Sequence, residues 1–373
     1  MTVAGVPATV RVLGAAVAAS ALSQLSYRWG RRRTFVLGMV FFTFGAAVSA
    51  FALWTGSFLL LLVGMFVIGP ARAVNQLARF AAGDMHADDR RVSAVSLIVW
   101  AATIGSVIGP RLIGRAGAMA ESLGANELAG PFVMAAVGFT VAAVYYATTL
   151  RPDPMELAIA QSGVTSFVER RALRELIGVP AIQLALVTMM ASQFVMVFVM
   201  VIAPVHMRAN GHSLDAIGWV MMAHTLGMFG VAPITGAAIR RWGTHRVIAG
   251  AAVTLASATL VAMSAPTADM KTLVVALFLL GLGWNLGFVA GSTVIQEELM
   301  LQDRVGIQGI GDTLTALAAA SGAFATGFVA DWWGFRGVSA IGLVMSVVPL
   351  IALARHAKRS IDRVDQPDRS RSG

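Results

Sequence analysis

Apolar runs of about 20 residues recur along this 373-residue chain, and they restrict its fold more than any other feature. A run of that length crosses the ~30 Å hydrocarbon core of a bilayer as an α-helix. Its backbone must be helical there, because lipid offers no hydrogen-bond partners. Only 13% of the residues are charged, whereas soluble domains carry about 25%. The chain is therefore predicted to be an all-α, polytopic membrane protein.

The apolar pattern predicts eleven spans, separated by short polar loops. Their approximate limits are 8–27, 35–55, 58–80, 93–112, 131–150, 181–205, 216–239, 247–265, 272–296, 307–330 and 337–354. A polar linker, 151–180, separates an N-terminal half of five spans, 1–150, from a C-terminal half of six, 181–354. The linker is predicted to be either an amphipathic surface helix or a solvated connection. Residues 355–373 form a basic tail.

A long internal repeat relates the two halves. The tripeptide Arg-Trp-Gly occurs at 28–30 and again at 241–243, an offset of 213 positions. The same offset pairs Asp84 with Glu297 and Arg91 with Arg304. A duplicated membrane unit is typical of transporters. The sixth span has no partner in the first half, so the repeat predicts a six-plus-six architecture from which the first helix is absent here.

Positive charges lie mainly in alternate loops and in the tail, and the net charge is +9. Loops enriched in Arg and Lys stay in the cytoplasm, which predicts a plasma-membrane protein with a cytoplasmic C-terminus. The same placement favours the lipid bilayer, with its anionic headgroups, as the partner of these charges. Nucleic acid is not expected as a partner.

Two motifs resemble signatures of the major facilitator superfamily. The stretch Ser23-x-Leu25-x-Tyr27-Arg28-x-Gly30-Arg31-Arg32 resembles the family pattern Gly-x-Leu-x-Asp-Arg-x-Gly-Arg-Arg, with Ser and Tyr in place of Gly and Asp. The stretch Gly105-x-x-x-Gly109-Pro110-x-x-Ile113-Gly114 resembles a motif of its drug exporters, with Ile113 in place of one Gly. Glycines four residues apart allow close helix packing, and the proline bends the helix.

The resemblance implies a secondary transporter that works by alternating access, namely an efflux transporter of small amphipathic compounds. Two alternatives stay open. The chain could import a small metabolite, or it could be a truncated membrane protein that transports nothing.

Charged residues at the cytoplasmic helix ends are predicted to form a gate. Asp84 with Arg91, and Glu297 with Arg304, would form two equivalent clusters. Asp312 is predicted either to replace the carboxylate missing at Tyr27 or to stabilise its own helix terminus. The complete set of predicted gate residues is Arg28, Gly30, Arg31, Arg32, Asp84, Arg91, Arg241, Gly243, Glu297, Arg304 and Asp312.

Polar side chains within the spans are candidates for a substrate cavity, because such groups usually face the bundle interior. Arg72 is the main candidate for binding anionic or polar substrate groups, and a structural salt bridge is the alternative. His224 is the one such side chain that titrates near neutrality. The cavity set is Arg72, Asn75, Gln193, His224, Trp284 and Asn285, and the helix-packing set is Gly105, Gly109, Pro110 and Gly114.

Several classes of function find no support in the sequence. The chain has no cysteine, which excludes disulfides and thiol chemistry. It has no Gly-x-x-x-x-Gly-Lys-Ser/Thr phosphate loop of ATP-driven pumps. No metal-ligand spacing and no paired catalytic groups occur, so neither a cofactor nor an enzymatic activity is expected. Protons are a candidate coupling ion, although no Asp or Glu lies deep in a span.

The gate hypothesis predicts that Asp84→Asn combined with Glu297→Gln changes transport and favours the state that is open to the cytoplasm. Removing both carboxylates takes one partner from each charge cluster. The measurement is substrate flux, together with labelling of single cysteines introduced into this cysteine-free chain. Unchanged flux and unchanged labelling would reject the gate.

Overall fold

The computed structural model describes residues 5–71, 74, 78, 88–154, 156–157, 173–265, 269–299 and 301–364. Within these ranges, side chains are not described at 19–21, 23–24, 26–28, 88–100, 301–302, 304–306, 308 and 360–364. The described residues are almost entirely helical, and they contain no strand. The all-α prediction is therefore confirmed.

The helices are numbered in chain order. They are α1 Val6–Trp29, α2 Arg31–Thr55, α3 Phe58–Ile68, α4 Asp88–Ser122, α5 Ala129–Thr149, α6 Leu173–Gly178, α7 Pro180–Met200, α8 Ala203–Ala209, α9 Leu214–Thr225, α10 Ala232–Trp242, α11 Thr244–Ser264, α12 Met270–Glu298, α13 Leu301–Ser346 and α14 Val348–Val364. A π-helical turn, Leu226–Gly230, joins α9 to α10. All eleven predicted spans overlap these helices.

Six helices in the described ranges are long and apolar enough to cross a membrane, and the bent pair formed by α9 and α10 makes a seventh. One of the six, Gly309–Arg359, covers two predicted spans. The chain reverses within it at Gly334, whose φ of 66° is not helical. The third predicted span is helical over Phe58–Ile68, and most of its remainder lies outside the described residues.

Buried apolar clusters hold each half together. In the first half Leu22, Phe35, Met39 and Val74 pack against one another. In the second half α7 lies in the interior, where α12 and α13 pack against it, and most of its side chains are buried. Of the predicted linker, the described α6 packs onto the second half through Leu176, which is 1% exposed.

The repeated Arg-Trp-Gly motif adopts the same backbone turn in both halves. Gly30 has φ 86° and ψ 164°, and Gly243 has φ 81° and ψ 156°. Only glycine adopts this region without strain. Each turn ends one membrane helix and begins the next, at the end of the bundle that we call the arginine-rich face. The turns at Gly56, Gly124, Gly211 and Gly334 lie at the other end, called the opposite face.

Asp153 of the linker closes the first of these turns. Its two carboxylate oxygens accept the backbone N–H groups of Arg31 at 2.9 Å and of Arg32 at 3.0 Å. These donors are free at a helix N-terminus, where a negative charge also suits the helix dipole. A Cβ on Gly30 would overlap the Asp153 carboxylate. The structure thus places Asp153 beside the motif whose own acid is replaced by Tyr27.

We expect Gly30→Ala to lower the thermal stability of the protein more than Gly243→Ala does. Both changes force alanine into a sparsely populated region, which costs of order 1–3 kcal/mol. Only the alanine at 30 would also displace Asp153 from the α2 terminus, because the space around Gly243 is open. The measurement is the unfolding temperature of the purified protein in detergent. Equal losses in the two variants would show that the Asp153 contact contributes nothing.

Candidate functional site

The two halves meet closely at the opposite face through α4 and α9. A Cβ on Gly218 would overlap the carbonyl oxygen of Pro110, and a Cβ on Gly114 would overlap the carboxylate of Asp215. Two helix turns from Gly218 toward the membrane centre, the Thr225 hydroxyl donates to the Ser106 carbonyl at 2.9 Å. The two helices are therefore as close as their backbones allow.

A second contact between the halves joins α1 to α13. The residue before α1, Gly5, lies so close to the Ala323 carbonyl that a Cβ would not fit. The Thr9 hydroxyl lies 3.4 Å from the Ala320 carbonyl. Val12 of α1 is buried in the core of the second half.

Charged side chains add further contacts between the halves at the edge of the opposite face. Arg208, at the end of α8, forms an ion pair with Glu127 of the first half. The Arg111 guanidinium lies 3.7 Å from the centre of the Trp219 ring, in a cation–π contact. With Arg115 and Asp215, these two side chains line a small cavity of about 170 Å³. Together the contacts close the opposite face.

At the arginine-rich face, the described gate residues lie around the two repeated turns. Glu297 of α12 accepts a hydrogen bond from the Thr244 hydroxyl at 3.3 Å. Thr244 is the first residue of α11, directly after Gly243. A carboxylate therefore reaches the helix that follows each turn, Asp153 in the first half and Glu297 in the second.

For the other predicted gate residues, the described part of the chain does not show the predicted charge pairs. Arg241 is exposed, and Asp312 has an interaction partner. Asp84 and the side chains of Arg28, Arg91 and Arg304 lie outside the described residues. The pairing of Asp84 with Arg91 and of Glu297 with Arg304 stays a prediction.

Halfway along α12, Trp284 forms the centre of an aromatic and amide cluster. Its indole N–H donates to the Gln193 side-chain oxygen of α7 at 2.8 Å. The Phe288 ring stacks on the indole with centroids 5.0 Å apart, and the Phe229 ring meets it edge-on at 6.0 Å. Gly230, next to Phe229, faces Thr103 of the first half. The cluster thus extends to the boundary between the halves.

Asn285, the residue after Trp284, holds a break in the neighbouring helix. Its amide donates to the Met228 carbonyl at 2.6 Å, and its oxygen accepts from the Thr235 hydroxyl at 2.5 Å. Met228 lies in the π-helical turn, after which the helix bends by 41°. In π register the Met228 carbonyl would pair with residue 233, which is a proline without an N–H. Asn285 supplies the missing donor.

His224 lies between α9 and α12 and is fully buried. Its Nδ1 lies 2.8 Å from the Leu277 carbonyl. A carbonyl can only accept, so Nδ1 carries the proton. Within the described part of the chain, Nε2 has no partner. The other two predicted cavity residues, Arg72 and Asn75, lie outside the described residues.

The close helix contact lies further along α4 than the motif suggested. A Cβ at Gly105 or Gly109 would meet no atom of the described chain within 4 Å. Gly114 and the Pro110 carbonyl instead form the contact with α9. In this conformation Pro110 and Gly114 therefore contact α9, and the packing role of Gly105 and Gly109 stays a prediction.

Sequence reasoning missed several residues that the structure brings together. Asp153 was visible only as part of a helix-breaking Pro-Asp-Pro stretch. Asp215, Trp219 and the pair Glu127–Arg208 were not identified, because each lies opposite a residue far away in the chain. Thr235 gave no signal, since a threonine in an apolar helix commonly bonds its own backbone.

Comparison with known proteins now decides the family. The family model of the Major Facilitator Superfamily matches residues 1–206 and 184–371. The chain belongs to the major facilitator superfamily. The MFS-type transporter YddS of Bacillus subtilis strain 168 is 32% identical over 351 residues, which are 93% of this chain and 80% of that relative.

A further relative is also a transporter, and a solved structure shares the fold. The riboflavin transporter RfnT of Brucella anthropi is 26% identical over 348 residues, 93% of this chain and 83% of the relative. A crystal structure of a D-xylose–proton symporter superimposes with a TM-score of 0.72 at 15% identity, covering 92% of this chain and 86% of the symporter. This major facilitator protein is thus a multi-pass membrane transporter by family and fold.

We expect Gly114→Val to weaken the closed opposite face of this transporter, because the valine would displace Asp215 and push α9 from α4. The matched control is Gly105→Val on the same helix, where space is open. The measurement is the labelling rate of a single cysteine placed at Arg115, in the rim cavity. Labelling should rise in Gly114→Val alone. A similar rise in both variants would show that the change reflects a disturbed helix and not the contact.

Proposed function

We propose that this protein transports small amphipathic molecules that carry a flat ring, by alternating access between its two halves. The observation that carries the proposal is the Gln193–Trp284–Phe288 cluster at mid-depth in the second half. Stacked aromatic side chains offer a flat apolar surface, while an amide beside them offers hydrogen bonds at its edge. A ring system with polar edges would stack on the aromatic side chains and form hydrogen bonds with the amide.

The relationship to a riboflavin transporter supports the same substrate class, since an isoalloxazine is a flat ring with polar edges. At 26% identity the relationship supports the class of compound and not riboflavin itself. On the first-half side of the pathway, we propose Arg72 and Asn75 as residues that bind anionic or polar substrate groups.

The direction of transport is proposed as efflux, because the stretch from Gly105 to Gly114 resembles the motif of drug exporters. The riboflavin transporter relative favours a second candidate, import of a ring-containing metabolite.

We propose that the arginine-rich face is cytoplasmic and that the protein lies in the plasma membrane with its C-terminus in the cytoplasm. We also propose that protons are the coupling ion.

The closed contacts at the opposite face support an alternating-access cycle. The contacts of α4 with α9 and of α1 with α13 are helix-backbone approaches at glycines, which are either made or broken. We propose that the clusters around Asp84 and Glu297 form at the arginine-rich face when these contacts break. Asn285, which pins the bend of the α9–α10 helix, would keep that bend during the motion.

The test is flux in liposomes that contain the full chain, measured in both directions, with and without a proton gradient. The probes are riboflavin and an aliphatic sugar such as xylose. We expect riboflavin flux, and we expect Trp284→Leu to raise its half-saturation concentration about two- to tenfold, because an aromatic pair contributes roughly 0.5–1.5 kcal/mol beyond its buried area.

The matched control is Trp332→Leu, since Trp332 is 74% exposed at the opposite face. It should leave the flux unchanged. Flux of xylose in preference to riboflavin, or an unchanged half-saturation concentration in Trp284→Leu, would refute the proposed substrate class. Absence of flux for both probes in both directions would favour a non-transporting protein.

A further inference from the structure

A groove of about 520 Å³ opens at the arginine-rich face, on the outside of the first half. It lies between the end of α1, the first turns of α2 and the end of α5. Its lining includes Trp29, Arg32, Arg33, Val36, Val40 and Ala147. The groove is separate from the mid-membrane cluster, and it does not depend on the proposed transport function.

The groove changes from charged to apolar along its length. Arg32 and Arg33 lie at its outer end, and Val40 lies two helical turns further into the membrane. At 1.5 Å per residue, the distance from Arg33 to Val40 is about 10 Å along the helix. This is the depth over which a phospholipid changes from its phosphate to its acyl chains. Trp29, which is 54% exposed, lies at the level where tryptophan meets headgroups.

The guanidinium groups of Arg32 and Arg33, at the outer end of the groove, are available to bind an anion. The N–H groups of Arg31 and Arg32 at the start of α2 are already bonded to Asp153. An anion would therefore have to be bound by the guanidinium groups. Neither the Arg32 nor the Arg33 guanidinium is engaged by a carboxylate in the described part of the chain. Arginine pairs bind phosphate with well-defined geometry.

We propose that this groove binds one anionic phospholipid of the adjacent leaflet. Its phosphate contacts Arg32 and Arg33, and one acyl chain lies along Val36, Val40 and Ala147. The charge complementarity at the mouth selects an anionic headgroup, and the apolar length of the groove selects a lipid over a free phosphate.

The second half does not reproduce this groove, although it repeats the turn beside it. The comparison supports a site that is specific to the first half. The repeat places His245 and Arg246 at the positions of Arg32 and Arg33. The His245 ring stacks on His356 of α14 at 5.2 Å, so an aromatic pair stands where the first half has the Arg32 guanidinium. Gly250 stands in place of Leu37, which also lines the groove. The two positions at the groove's outer end thus carry one arginine fewer in the second half, and a large apolar side chain is missing from the wall.

The experiment measures lipid retention by the full chain in a neutral detergent, using native mass spectrometry. The probes are dioleoyl phosphatidylglycerol, dioleoyl phosphatidylcholine and water-soluble glycerol phosphate. We expect one phosphatidylglycerol to be retained in preference to phosphatidylcholine, without displacement by glycerol phosphate. Arg32→Gln with Arg33→Gln should weaken retention at least about tenfold, because each basic residue adds to the attraction for anionic lipid.

The charge-matched control is Arg240→Gln with Arg246→Gln, which removes two exposed arginines outside the groove and should change retention by less than about twofold. Ala147→Phe fills the groove but keeps both arginines, and it should also release the lipid. Unfolding temperatures without added lipid verify that each variant is folded.

Three results would overturn the proposal. Equal losses in the two double variants would indicate general attraction to the basic face. Equal retention of phosphatidylcholine would indicate ordinary annular lipid. Displacement by glycerol phosphate, or full retention in Ala147→Phe, would indicate a site for a free anion.

Discussion

The need to satisfy every backbone polar group inside hydrocarbon governs the whole structure. Helices meet that need by themselves, so the informative places are those where a helix starts, ends or breaks. At the start of α2 the carboxylate of Asp153 accepts the free N–H groups. At the π-helical turn the amide of Asn285 bonds the Met228 carbonyl. In both places a side chain from elsewhere in the chain replaces the missing partner.

The same constraint bears on how the two halves would move against each other in the proposed alternating-access cycle. Two membrane helices attract one another mainly through close packing and hydrogen bonds, because lipid is as apolar as their side chains. Gly218 lets α9 approach the Pro110 carbonyl of α4, Gly114 leaves room on α4 for the Asp215 side chain, and Thr225 adds a hydrogen bond. Such a contact depends on close approach, so it is lost as soon as the two helices separate. It suits a transporter that alternates between two states.

The duplicated sequence is reproduced as duplicated backbone geometry, but the side chains around it have diverged. Gly30 and Gly243 share one turn conformation. A carboxylate approaches each turn, from the linker in the first half and from α12 in the second. The outer surface beside the first turn is an apolar groove with two arginines, whereas a stacked histidine pair lies beside the second. Duplication thus preserved the turn while each half acquired its own surroundings.

The sequence by itself determined the fold class and indicated the family, because hydrophobic length, the repeat and the motifs are properties of the chain read in order. It also selected Gln193, Trp284 and Asn285 as cavity candidates, since polar side chains are rare within spans, and that role stays a prediction. Only the tertiary structure decided that Asp153 caps α2, that Gly114 rather than Gly105 meets α9, and that Asn285 pairs with the break at Met228. Each is a contact between residues far apart in the chain, and its partner depends on how helices are placed side by side, which hydropathy does not encode.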